Sequence, residues 1–310
     1  MNPRSSTCLC LLAVAGLAAC SRQTSLQAGK STADSRQNGR ATIGLAISTL
    51  DNPYFVALRD GARAEAQAQG LNLITVDAQN DAARQISNVE DLIQKHVSVI
   101  LLNPTDSDAV ANVVGEANAA GIKVISLDRA VDGATVSVSV ASNNVAGGEM
   151  AAKALLARIG GKGNLVELVG IPGSSAARER GEGFDEAIKA DPAVKVVAEQ
   201  PANFDRAQGL SVMENILQRD HDIQGVFAQN DEMALGAATA VNEAGLKGVA
   251  IVGFDATPDG IAAVKSGELA ATVQQKPRLI GKEGVDAAKR LLAGEPVPKS
   301  IAVPVSLLGD

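Results

Sequence analysis

The side chains best suited to handling a ligand fall in short clusters, each at the end of a run of β-branched and aliphatic residues. Asp51, Asn52, Tyr54 and Phe55 follow "ATIGLAIST", Asn103 ends "VSVILLN", Asp128 and Arg129 follow "KVISL", and Ser142 to Asn144 close "VSVSVAS". Asn203 with Phe204, Asn230 to Glu232, Phe254 with Asp255, and Gln274 with Gln275 hold the same places in the second half. This mixture suits a polyhydroxylated ring. Hydroxyls both donate and accept, so a carboxylate takes their protons, a guanidinium fills their lone pairs and an amide does either. The C–H faces of a sugar are apolar and pack on aromatic rings. The chain has one Tyr, five Phe and no Trp. Tyr54, Phe55, Phe204 and Phe254 stand at or just beyond these run ends, which leaves Phe184 and Phe227 for ordinary core packing. Asn and Asp at such places also cap helices, and capping is the expected role of Asn103, Asn144 and Asp231.

Other chemistries find little support. The two histidines, His96 in "QKHVS" and His221 in "RDHDI", sit in polar surroundings that suggest solvated surface. All three cysteines lie within the first twenty residues, so the folded part holds neither a disulfide nor a thiolate metal site. No metal, no cofactor and no catalytic residue is expected. Asp128 and Asp255 could in principle pair as acid and base. No Ser-His-Asp constellation, metal-ligand spacing or glycine-rich phosphate loop accompanies them, so the chain is not expected to be an enzyme. A net charge of −7 with no Lys/Arg run disfavours nucleic acid as a partner.

The elements that must position these clusters alternate. Between most of the runs lie helix-length segments such as "FVALRDGARAEAQAQG" and "AVANVVGEANAAG", each closed by a Gly suited to a C-terminal cap. Strand and helix in steady alternation imply parallel sheets with right-handed crossovers. At 310 residues the chain is long for one core. The expected fold is α/β with two doubly wound parallel-sheet lobes that meet near Ser142 to Val145. The helix in "PRLIGKEGVDAAKRLLAG" and a final strand near Ile301 to Leu307 suit a return to the first lobe. Ligands of open parallel sheets sit beyond the carboxyl ends of the strands, which is where the clusters stand.

The first forty residues differ in kind. Arg4 in a short polar start, an apolar run from Leu9 to Ala19 and small residues after it have the layout of an export signal, spanning 1–19. "LAAC", Leu17 to Cys20, resembles the lipobox in which the Cys becomes a lipidated first residue. An ordinary signal peptide with a chance Cys is the alternative. Either one takes the chain to the periplasm or another extracytoplasmic face, and lipidation of Cys20 is its one expected tie to a membrane. The polar, Ser-rich remainder of 20–40 suits a flexible tether.

"STLDNPYFVALRDGA", "LLNPTDSDAV", "ISLDR", "SSAARERGEGF", "QPANFDRAQGL", "VFAQNDEMALGA", "VGFDATPDG" and "LAATVQQ" together resemble the bacterial periplasmic ribose-binding proteins. These are the sugar-binding subunits of ABC importers, with the type I periplasmic binding protein fold. The resemblance runs from Thr42 to Gly294, in order and with matching spacing. It implies two lobes, 41–142 plus 276–304 and 143–275 plus 305–310, joined by a three-strand hinge and closing on the sugar. It implies Asn52 as a hydrogen-bonding contact, Tyr54 and Phe55 as stacking rings, and Asp128 and Arg129 as polar contacts. "AARERG" places Arg180 rather than Arg178 in the site, and Phe204, Asn230, Phe254 with Asp255, and Gln275 complete it. The aromatic at Tyr54 is more usually Phe in that pattern. The implied partners are a monosaccharide, D-ribose first, and an inner-membrane ABC permease, with a chemoreceptor as a further possibility and the chain acting as a monomer. Sugar-sensing repressors share the fold, but here an export signal and tether occupy the place of their DNA-reading domain. The same scaffold tuned to another pentose, a hexose or a furanose signal remains open.

Overall fold

The structure is a computed structural model and describes residues 40–309. The expected export signal, Cys20 and most of the tether lie outside the described residues.

The chain builds two six-stranded sheets of the same plan. The first takes β1 (Thr42–Ile47), β2 (Asn72–Asp77), β3 (Val99–Leu102), β4 (Lys123–Leu127), β5 (Val138–Ser142) and β11 (Ser300–Val303). Their order across the sheet is β11-β5-β4-β3-β1-β2, with every pair parallel. The second takes β6 (Gly163–Val169), β7 (Val194–Pro201), β8 (Gly225–Ala228), β9 (Ala250–Asp255), β10 (Ala271–Gln274) and β12 (Ser306–Leu308). Its order is β12-β10-β9-β8-β6-β7, parallel except for β12 against β10. The runs that precede the eight polar and aromatic clusters all form strands. β1 and β3 are buried along their whole length, as a strand covered by helices on both faces must be. The edge strand β7 is largely half-buried or exposed. Aliphatic clusters fill both faces of each sheet, and Phe184 stacks on Phe227 with ring centres 4.6 Å apart in the second core, as expected.

One expectation needs correcting. The final strand is two strands in different sheets, β11 beside β5 and β12 beside β10. Pro304 separates them. It has no N–H to give a ladder, so the pairing ends there and the chain changes sheets.

The chain passes between the sheets three times: after β5, after β10 and between β11 and β12. After β10 it forms α9 (Pro277–Leu292), which packs against α1 (Pro53–Ala68) and puts Ile280, Val285 and Ala288 into the first sheet's core. This approach needs glycine on both sides. A Cβ on Gly61 would stand 2.2 Å from the Arg278 carbonyl oxygen, and one on Gly281 would stand 2.1 Å from that of Leu58. Among the described residues no helix is long and apolar enough to cross a membrane.

Candidate functional site

In both sheets the first strand lies between the second and the third, so a crevice opens where the strand order reverses. The two crevices contribute to one cavity of about 240 Å3. The first lobe lines it with Asn52, Tyr54, Phe55, Asp128 and Arg129, and the second with Ala176, Arg180, Phe204, Asn230 and Asp255.

Local backbone aims these groups. Asn52 is extended because Pro53 follows it, and its side chain caps α1 by accepting from Tyr54 N at 2.9 Å. The cap sets Tyr54 and Phe55 in the first turn, where their rings meet edge to face at 5.1 Å. Asn230 caps α7 (Asp231–Glu243) in the same way, accepting from Met233 N, and donates to the Phe204 carbonyl at 3.1 Å. Asp128, Phe204, Asp255 and Ala256 all have left-handed φ, at 66°, 61°, 114° and 53°. Each such residue costs about 1–3 kcal/mol, a strain that tends to collect at binding sites.

None of the three residues expected to cap a helix does so: the neighbours Asn143 and Asn230 cap in place of Asn144 and Asp231, and Asn103 has another role. Asn143, not Asn144, caps α4 (Asn144–Ile159). Asn144 faces inward and accepts from Arg180 Nε at 3.0 Å. Asn103 ties three strand ends together, accepting from the Ser48 hydroxyl at 2.7 Å and donating to the Leu127 carbonyl at 3.2 Å. Asp231 accepts from Thr257 N at 2.7 Å and from the Thr272 hydroxyl at 2.6 Å. Thr272 in turn accepts from Ala256 N at 3.2 Å, so Asp231 and Thr272 brace the strained turn that carries Asp255.

The charges come as two carboxylates and two guanidiniums, all almost fully buried. Arg129 Nε lies 3.8 Å from Asp128 and Arg180 Nη1 lies 3.7 Å from Asp255. These are loose pairings, with room for a hydroxyl to join them. Arg129 donates to the Pro104 carbonyl at 2.8 Å, and burial lowers its pKa. Arg180 donates to the Gln229 carbonyl at 2.6 Å. Both guanidiniums lean on Phe204, at 5.3 and 5.7 Å from its centre. Burial pushes the Asp255 carboxyl well above the usual range, against the pull of Arg180.

Two of the expected contacts do not line the cavity. Phe254 is fully buried, and its ring lies 3.9 Å beneath the Arg180 guanidinium as a platform for it. Gln275 stands behind the wall, where its amide donates to Asp255 at 2.7 Å and its oxygen lies 3.0 Å from the Tyr54 hydroxyl. Ala176 is a lining residue that sequence reasoning missed, and an alanine carries no chemical signal by which to find it. His96 and His221 are exposed, and the described residues hold no cluster of metal-ligating side chains.

A clasp closes the rim beside the cavity. Ser107 N, from the β3–α3 connection of the first lobe (α3, Ala111–Ala119), donates to the Gly173 carbonyl at 2.9 Å. Ser175 N donates to the Ser107 hydroxyl at 3.0 Å, and Ala130 N donates to the Ser175 hydroxyl at 2.8 Å. Arg178, which the sequence resemblance placed outside the site, pairs with Asp132 across the same seam.

The comparisons with known proteins agree with this geometry. A family profile described as "Periplasmic binding protein domain" matches residues 43–296. The ribose import binding protein of Bacillus subtilis is 50% identical over 266 residues, 86% of each chain. An ABC transporter periplasmic solute binding protein from Actinobacillus succinogenes, solved with bound D-allose, superposes with a TM-score of 0.82 at 35% identity. That match covers 87% of this chain and 98% of the other. The Caulobacter myo-inositol binding protein superposes with a TM-score of 0.84 at 34% identity, covering 88% and 95%. With the profile spanning most of the chain and two crevices meeting at one polar cavity, the chain belongs to the periplasmic binding protein family.

Proposed function

We propose that this protein captures a monosaccharide, D-ribose first, outside the cytoplasm and delivers it to the permease of an ABC importer. The observation that carries this reading is the pair of Asp–Arg couples, one from each lobe, that face a single cavity. Four buried charges are costly alone, but sugar hydroxyls bridging them satisfy donors and acceptors together. The name carried by the half-identical Bacillus subtilis relative supports ribose as the sugar.

In this reading lobes 41–142 plus 276–304 and 143–275 plus 305–310 bend about the three crossings. The sugar favours closure because contacts to both lobes exist only when they meet. Asn52, Asp128, Arg129, Arg180, Asn230 and Asp255 hold the hydroxyls, and Tyr54, Phe55 and Phe204 cover the C–H faces. Phe254 and Gln275 act from behind, by holding Arg180 and Asp255. The closed monomer is what the permease reads, and a chemoreceptor can read the same face. Cys20 carries a lipid that keeps the protein at the membrane while the tether lets it reach. The site binds and does not turn over its ligand.

The test is thermal melting of the full-length protein with D-ribose, followed by recovery of the sugar. A ligand at one hundred times its Kd adds about 2.7 kcal/mol to folding, so a clear rise in Tm with unchanged sugar is expected. No rise with D-ribose, or consumption of it, overturns the reading.

A further inference from the structure

One corner of the cavity is closed by a hydrogen bond of the protein's own. The Tyr54 hydroxyl donates to Asp128 Oδ1 at 2.5 Å, and its oxygen lies 3.0 Å from Gln275 Oε1. Gln275 passes the connection on to Asp255 through its amide N–H at 2.7 Å. The single phenol proton thus faces two acceptors, Asp128 in the first lobe and Gln275 Oε1 in the second. Elsewhere Arg129 Nε is buried with no hydrogen-bond partner.

A sugar hydroxyl has the same donor and acceptor pattern as a phenol. At the Asp128–Gln275 corner the protein therefore supplies a hydroxyl itself. Tyr54 cannot easily vacate the place. It sits in the first turn of a capped helix, is 4% exposed and packs edge to face on Phe55. Burial and the Asp128 and Asp255 carboxylates push its pKa further up, so it stays a neutral donor.

We infer that the Tyr54 hydroxyl determines which sugars the site accepts, by excluding a ligand hydroxyl or hydroxymethyl group from the Asp128–Gln275 corner. The site then takes a compact sugar that presents only hydrogen there. This rests on the monosaccharide reading above and narrows it.

The experiment is calorimetric titration of the full-length native protein and of Tyr54→Phe. The ligands are D-ribose and two sugars that add one hydroxymethyl group to it at opposite ends, D-allose and D-psicose. A hydrogen bond to a charged group is worth about 1.5–3 kcal/mol, which corresponds to roughly tenfold to a hundredfold in affinity. The native protein is expected to prefer D-ribose by at least roughly tenfold over one or both larger sugars. Removing the hydroxyl frees Asp128 Oδ1 and Gln275 Oε1, so Tyr54→Phe should narrow that gap by roughly tenfold or more. The inference is overturned if the native protein binds both larger sugars as well as D-ribose, a result that needs no variant. It is also overturned if Tyr54→Phe binds D-ribose with both ratios unchanged, or melts like the native protein yet binds no sugar. If the native protein binds none of the three, the monosaccharide reading itself fails.

Discussion

The Arg180 guanidinium lies over the Phe254 ring, with 3.9 Å between the guanidinium carbon and the ring centre. The ring is fully buried, so the cation is held from below by a π face while Asn144 and Gln229 fix two of its nitrogens at 3.0 and 2.6 Å. A desolvated cation–π contact is worth about 2 kcal/mol. Phe254→Leu is therefore expected to weaken sugar binding by roughly thirtyfold although residue 254 does not line the cavity. Titration checks this, and an unchanged affinity would show that the two hydrogen bonds suffice to hold Arg180.

The brace behind Asp255 gives a second expectation. Thr272→Val removes the acceptor for the half-buried Ala256 N and a donor to the buried Asp231 carboxylate. An unsatisfied buried polar group costs about 1–3 kcal/mol, and here it falls on a turn already strained at Asp255 and Ala256. Tm and sugar affinity should both drop, and Thr272→Ser, which keeps the hydroxyl, should restore both. Failure of the serine variant to restore affinity would point to lost packing rather than to the brace.

Stability should also carry a pH signature from Glu167. This residue lies in β6, where Gln229 donates to it at 2.7 Å, and burial raises its pKa from 4.5 to about 7. Asp185 and Glu199 push in the same direction. The folded state holds the proton more tightly than the unfolded chain. Its contribution is therefore fully present below about pH 4.5 and is lost as pH rises through about 7. The loss is on the order of 3 kcal/mol. Glu167→Gln stays neutral throughout, so its Tm should gain on the native protein between pH 5 and 8. Parallel melting profiles would contradict the assignment.

The rim clasp should act on all sugars alike. Ser107, Ser175 and Arg178 do not line the cavity, and their bonds join the two lobes. Contacts that exist only in the closed state shift the open–closed balance and scale every apparent affinity by one factor. Ser107→Ala is expected to weaken D-ribose binding by roughly threefold to thirtyfold and to leave ratios among sugars unchanged. Tyr54→Phe should do the reverse, so a sugar-dependent effect of Ser107→Ala would contradict this division.

Much of this was legible before any coordinates. β-branched runs alternating with glycine-capped helical segments marked the strands of both sheets, and the scarcity of aromatics made Tyr54, Phe55 and Phe204 conspicuous at the strand ends. What stayed hidden depends on partners distant in sequence. Two adjacent polar residues at a helix start look alike in one dimension, yet Asn143 caps while Asn144 reaches Arg180, thirty-six positions away. Phe254 reads as a site residue because it is one of few aromatics and stands at a strand end beside Asp255. Strand alternation points neighbours to opposite faces, and Phe254 enters the core, where a Cβ on Gly147 would stand 2.6 Å from its ring. The crossing at Pro304 came from the family resemblance, which divides the lobes between 304 and 305, and not from the run pattern, which suggests one final strand.

The most direct test of the central claim is titration of D-ribose into the full-length protein, alongside Asp128→Ala and Arg180→Ala. One-to-one saturable binding by the native protein is predicted. Each variant should lose at least roughly a hundredfold in affinity, because removing one buried charge leaves its partner unpaired at a cost of about 3–5 kcal/mol. Native-like binding by either folded variant, or no binding of D-ribose by the native protein, would contradict it.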